Sequence, residues 1–194
     1  MSGAATISAL QAEADMRRWL ERAVIGLNLC PFAKAVHVKG QIHYAVYEPA
    51  DDPASADLMA ALLAQAADLA ALDAAVRDTT LLIAPNTLAD FLDFNDFTAR
   101  AERQLARAGY DGVFQLASFH PQFQFAGTEP DDLGNATNRA PYPTLHLLRE
   151  DSVDRAVDAF PEAQAIFERN IDTLQALGAQ GWAALDVGPG SAKP

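Results

Sequence analysis

The chain has 194 residues, half of them hydrophobic, with 26 acidic against 14 basic side chains and a net charge of -12 at pH 7. A chain of this size can bury a sizeable core as one domain without disulfides, and its negative balance repels phosphate backbones and anionic lipid surfaces, which excludes nucleic acid and membrane as expected partners. The single cysteine excludes an internal disulfide and fits a reducing, cytoplasmic setting, and no window approaches the roughly 20 apolar residues of a membrane span.

Residues 1–24 lack a basic segment followed by a continuous apolar run, so they read as helix rather than leader. Leu10, Met16, Trp19, Leu20 and Ala23 recur at helical spacing beside Glu13, Asp15, Arg17 and Arg18, predicting a helix over 8–27. The register changes at Asn28-Leu29-Cys30-Pro31. Proline favours the first helical position, which predicts a short helix over 31–36 with Cys30 at its N-cap. Alternation of Ile42, Tyr44 and Val46 against His43, Ala45 and Tyr47 predicts a strand over 41–48, ended by Pro49.

An Ala-rich helix follows over 54–76, with Ser55 or Asp57 as its cap. TTLLIA at 79–84 is a buried strand bounded by Pro85-Asn86, and residues 87–108 form a helix ending at Gly109. Strands are expected at 113–119 and 144–149, and helices at 153–160 and 162–177, broken by Pro161 and closed by Gly178. The tail GPGSAKP, 188–194, is expected to be flexible beyond a single globular domain of 1–187.

This order predicts an α+β fold, one mixed sheet of about four strands with helices packed on it. The first two strands are joined through a helix and should be parallel with a right-handed crossover. The last two lack an intervening helix, read as antiparallel neighbours, and bring His120 and His146 to nearby ends of the sheet.

Between those strands lies the chemically densest stretch, residues 117–150. It holds His120, Asp131, Asp132, Asn135, Asn138, Arg139, His146, Arg149 and Glu150, punctuated by four prolines. Loops this long inside compact domains tend to be functional. Strand alternation sends Phe119, Phe123 and Phe125 to one face and His120 to a polar one, while His146 shares its face with Leu148 and reads as half-buried. Either imidazole can serve as general acid or base near neutral pH, and either can be a hydrogen-bonded structural histidine. Arg139 and Arg149 offer forked donors suited to an anion, with Asn138 beside them; the competing reading of Arg139 is a loop brace to Asp131, Asp132 or Glu150. Asn135 and Asn138 also suit turn formation.

Cys30 is a candidate nucleophile if a helix N-terminus and Lys34 lower its pKa, against the plainer reading of a buried, inert thiol. No metal site is expected, since HxH, HExxH and CxxC spacings are absent and His120, His146 and Asp131 or Asp132 would have to converge in space. No GxGxxG or GxxxxGK[ST] occurs, and no motif names a cofactor, which stays unknown.

NLCPFA at 28–33, FHPQFQFAG at 119–127 and TNRAPYPTLHLLRE at 137–150 together resemble the family catalogued as domain of unknown function 1415. The resemblance spans nearly the whole chain. That family has no assigned activity, so the resemblance names relatives and transfers no mechanism.

Two functional readings follow from the residues. One is a small enzyme that binds a small anionic molecule between the Cys30 turn and the 119–150 loop, with Asn138, Arg139 and Arg149 holding the substrate and His120, His146 or Cys30 doing the chemistry. The other is a non-catalytic ligand-binding or interaction module, in which Phe123, Phe125 and Tyr142 form a contact surface or seal the core, with a homodimer among its outcomes.

Overall fold

Four strands build the sheet in a computed structural model, which describes residues 6–48, 55–159 and 165–190. In chain order the elements are α1 (Ala9–Trp19), continued as a π-helical turn Leu20–Ile25, α2 (Ala33–Val38), β1 (Ile42–Val46), α3 (Ser55–Ala70), β2 (Thr79–Ile83) and α4 (Phe91–Leu105), which also ends in a π-helical turn. Then come β3 (Phe114–Phe119), a 3-10 helix Leu133–Asn138, β4 (Thr144–Arg149), α5 (Glu150–Asp158) and α6 (Ile166–Ala184). The strand order is β1-β2-β4-β3. β1 and β2 run parallel, and β4 is antiparallel to both β2 and β3, so the sheet is mixed and the fold is α+β.

β2 occupies an interior position, and all five of its residues are buried, which is why it reads as an unbroken apolar run rather than an alternating one. On one face of the sheet Leu82, Leu145, Leu147 and Phe114 pack under α3 and α4 through Leu58, Leu62, Leu69, Phe94 and Phe97. On the other face Tyr44, Leu81 and Ile83 pack under α1 and its π extension through Ala12, Met16, Trp19 and Leu20. A smaller cluster of Leu29, Ala136 and Leu174 seats α6 against the 3-10 helix. There Asn170 donates to the Leu29 carbonyl at 2.9 Å.

Several element ends depart from the sequence reading for identifiable reasons. α4 begins at Phe91 rather than 87 because Asp90 caps it, accepting from the Leu92 and Asp93 amides at 2.8 and 3.1 Å. Leu88 just before it adopts a left-handed φ of 53°. α2 starts at Ala33, and its N-cap is Phe32 rather than Cys30. The Cys30 carbonyl instead accepts from the Ala33 amide, so Pro31 lies in a turn ahead of the helix. α5 starts at Glu150, directly after β4, and α6 passes through a break at Gly178 (φ 70°, ψ 170°) before resuming to Ala184. The side chains expected to cap α3, Ser55 and Asp57, lie outside the described residues, as do Pro49 and Pro161. Gly188 and Gly190, in the tail, are hydrogen-bonded to α1: the Gly188 carbonyl accepts from Arg18 and the Gly190 amide donates to Asp15, each at 2.9 Å.

Candidate functional site

Register places Tyr44, Leu81, His146 and Ala117 in one row across the sheet, all on the α1 face. Thr79 belongs to the neighbouring row of that face, and its hydroxyl lies 2.6 Å from the Leu147 carbonyl and 2.5 Å from His146 Nε2. A carbonyl can only accept, so the single hydroxyl hydrogen of Thr79 goes to Leu147. His146 Nε2 must then carry its own hydrogen and donate it to Thr79 Oγ1. This fixes the tautomer and leaves Nδ1 as a bare lone pair, which has no hydrogen-bond partner among the described residues. The residue is half-buried. Its ring lies 6.0 Å from that of Phe119, and burial pulls its pKa down to about 4, so the imidazole is neutral at physiological pH.

His120 lies one residue past the end of β3, on the opposite face of the sheet. It is fully buried between the rings of Phe91 and Phe94, at 5.4 and 5.1 Å, rather than on the polar face that alternation suggests. Both ring nitrogens are engaged. The Gln122 amide donates to Nδ1 at 3.0 Å, so Nε2 carries the hydrogen and donates to the Leu88 carbonyl at 3.1 Å. Burial lowers its pKa. The imidazole thereby holds the left-handed Leu88 in place.

The polar residues of the 120–138 loop are turned inward on the loop itself. Asn135 is fully buried, accepts from the Phe125 amide and the Thr128 hydroxyl, and donates to the Glu129 carbonyl. Asn138 donates to the Ser118 carbonyl at 3.1 Å. Arg139 donates to the Phe123 and Pro130 carbonyls at 3.1 and 2.6 Å, so the brace is made to carbonyls rather than to Asp131, Asp132 or Glu150. Asp132 caps the 3-10 helix through the Gly134 amide. At the far end of β4, Arg149 donates to the carbonyls of Leu69, Leu72 and Arg77, closing the C-terminal end of α3.

Cys30 is half-buried and packs on the α1-face cluster, the same side of the sheet as His146. Burial raises its pKa, against the smaller opposing effect of the Phe32 and Ala33 amides, so its thiol is protonated at neutral pH.

Sequence reasoning missed Asp15. It is fully buried and pairs with Arg18 at 2.7 Å, accepts from Tyr142 at 2.6 Å and Gly190 at 2.9 Å, and also accepts from Gln11. Burial works to raise its pKa, but the bonds from Tyr142, Gly190, Arg18 and Gln11 together outweigh it and leave the carboxyl below its usual value. Trp19, one turn on, donates its indole N–H to the Arg139 carbonyl at 2.8 Å. Asp15 therefore ties α1, the end of the long loop and the tail together. Tyr142 belongs to this buried network and to no surface.

An open concavity of about 670 Å³ lies along the exposed side of α4, lined by Leu88, Asp93, Asp96, Ala99, Arg100 and Arg103. Its charged residues are of mixed sign, and none of the predicted site residues lines it. Among the described residues no group of three His, Cys, Asp or Glu side chains is placed to hold a metal ion, and no helix is long and apolar enough to cross a membrane.

A family model described as a protein of unknown function, DUF1415, matches residues 11–184. No curated protein and no solved structure matches the chain.

Proposed function

The chain belongs to the DUF1415 family of unknown function, and we propose that it binds a small organic molecule on the α1 face of its sheet, with His146 Nδ1 as the hydrogen-bond acceptor and, where the ligand is a substrate, as the proton acceptor. The observation that carries this reading is the lone pair that the fold leaves unspent. Thr79 fixes which nitrogen is bare, and the residue is only partly buried. Phe119 and Ala117 flank it on β3, and Cys30 packs on the same face. The two histidines do not form a joint acid-base pair in this reading, because they lie on opposite faces of the sheet and His120 is committed at both nitrogens.

The test is a fragment screen followed by side-chain NMR of the intact chain. Hits should perturb His146, Ala117 and Phe119 and should be lost in His146→Leu. Hits confined to the α4 concavity, or indifferent to His146, would overturn the assignment.

One observation favours a second reading. Phe91, Phe123, Phe125 and Phe167 form a ladder of ring contacts 4.9 to 5.7 Å apart that ends at Phe167, which is 50 % exposed. Such an edge suits a protein contact. Phe167→Ser would then abolish self-association or partner binding in light scattering while leaving the His146 resonances in place.

A further inference from the structure

Resting on the His146 reading, we infer that the ligand is a neutral, flat and largely apolar molecule that presents one O–H or N–H donor, of the chemical class of a phenol, rather than an anion. The first support is the hydrogen-bond inventory. Thr79 gives its hydrogen to the Leu147 carbonyl and receives that of His146 Nε2, so the free nitrogen can accept and cannot donate. A carboxylate or phosphate oxygen there would set lone pair against lone pair, whereas an O–H or N–H completes the ring's hydrogen bonding.

The second support is the surface around that nitrogen. Leu81 and Ala117 flank His146 in its row and the Phe119 ring stands 6.0 Å away, which suits an apolar ring; the unpaired hydroxyl of that row, on Tyr44, lies two strands away beyond Leu81. The third is the state of the guanidinium groups. On the α1 face Arg17 pairs with Glu13 and covers the Tyr44 ring at 4.0 Å, Arg18 is held by Asp15 and the tail carbonyls, and Arg22 binds the Leu185 carbonyl and Asp186. Arg139 and Arg149, the anion-binding candidates of the sequence, are both engaged with carbonyls. An anion would also enter against a net charge of -12. A cationic ammonium would gain from that charge but would lose its hydration beside Leu81 and Phe119 with no carboxylate bonded to His146 or Thr79 to replace it.

Three probes of one shape separate the alternatives on the intact wild-type chain: phenol, toluene and benzoate, each titrated while the side-chain nitrogen resonances of His146 are followed. Phenol should move the Nδ1 resonance and bind about fivefold or more tighter than toluene, the worth of one neutral hydrogen bond. Benzoate should bind about tenfold or more weaker than phenol, since its carboxylate leaves both itself and Nδ1 unsatisfied. In Thr79→Val, which removes the group that fixes the tautomer, the preference for phenol over toluene should shrink. Benzoate binding at His146 as tightly as phenol would overturn the ligand class and leave the site standing. Phenol and toluene binding equally there, with Nδ1 unmoved, would overturn the donor requirement. No movement of His146 with any probe would overturn both the class and the reading on which it rests.

Discussion

His146 makes a prediction about acid stability that can be worked to a number. Its imidazole ionises at about 4 in the fold against 6.5 for an unhindered group, because burial disfavours the charged form. The unfolded chain therefore binds the proton more tightly, and each step of acidification between those two values favours unfolding. Stability from this group is complete above 6.5, falls through the window and levels off below about 4. At about 1.4 kcal/mol for each tenfold difference in proton affinity, the loss approaches about 3 kcal/mol, an upper figure because the residue is only partly buried. His120 and His43 are also lowered, chiefly by burial, and contribute losses of the same sign. The assay is therefore a difference: urea unfolding of wild type and His146→Leu at pH 7 and pH 4. The carboxylates and the other histidines cancel, and wild type should lose up to about 3 kcal/mol more than the variant. Parallel losses in the two proteins, or a His146 NMR titration midpoint near 6.5, would refute the desolvated imidazole.

Three further outcomes follow from the bonding of single residues. Arg149→Gln should cost about 2 kcal/mol in urea unfolding, since the carbonyls of Leu69, Leu72 and Arg77 lose a charged donor, and it should leave probe binding at His146 unchanged. Asp15→Asn should cost about 3 kcal/mol at pH 7 by leaving Arg18 without its charge partner, and the amide of Gly190 should lose its protection from hydrogen exchange. Cys30, half-buried with its pKa raised, should react with iodoacetamide at pH 7 more slowly than a free cysteine; a rate above that of free cysteine would contradict the protonated thiol.

The elements of this fold were legible wherever periodicity and burial agreed. β4 runs over 144–149 and β2 over 79–83 because their apolar residues are held on both faces, and α1 follows the spacing of Met16, Trp19 and Leu20. The start of α4 was not legible, because 87–90 can satisfy a helical pattern while Asp90 supplies a better cap. Strand alternation does not place His120, because the ladder ends at Phe119 and the chain turns at Pro121. Asp15 gave no local sign of its role, since its partner Tyr142 lies 127 residues away and a charged residue on a helix ordinarily faces water. The acceptors of Arg139 and Arg149 are carbonyls, which no residue type marks.

An irregular segment has no ladder of its own, so its buried amides and carbonyls must be paired by side chains. Between residues 120 and 139 that demand accounts for His120 on Leu88 and Gln122, Asn135 on Phe125 and Glu129, Asn138 on Ser118, and Arg139 on Phe123 and Pro130. A density of His, Asn and Arg is what such a loop needs to be ordered, whether or not it meets a ligand. The discriminating quantity is hydrogen-bonding capacity left over after the fold has been satisfied. By that measure His120, Asn135, Asn138 and Arg139 are committed to the fold and the Thr137 hydroxyl is left over within the loop, while on the regular strand that follows it Thr79 takes one nitrogen of His146 and leaves the other unspent.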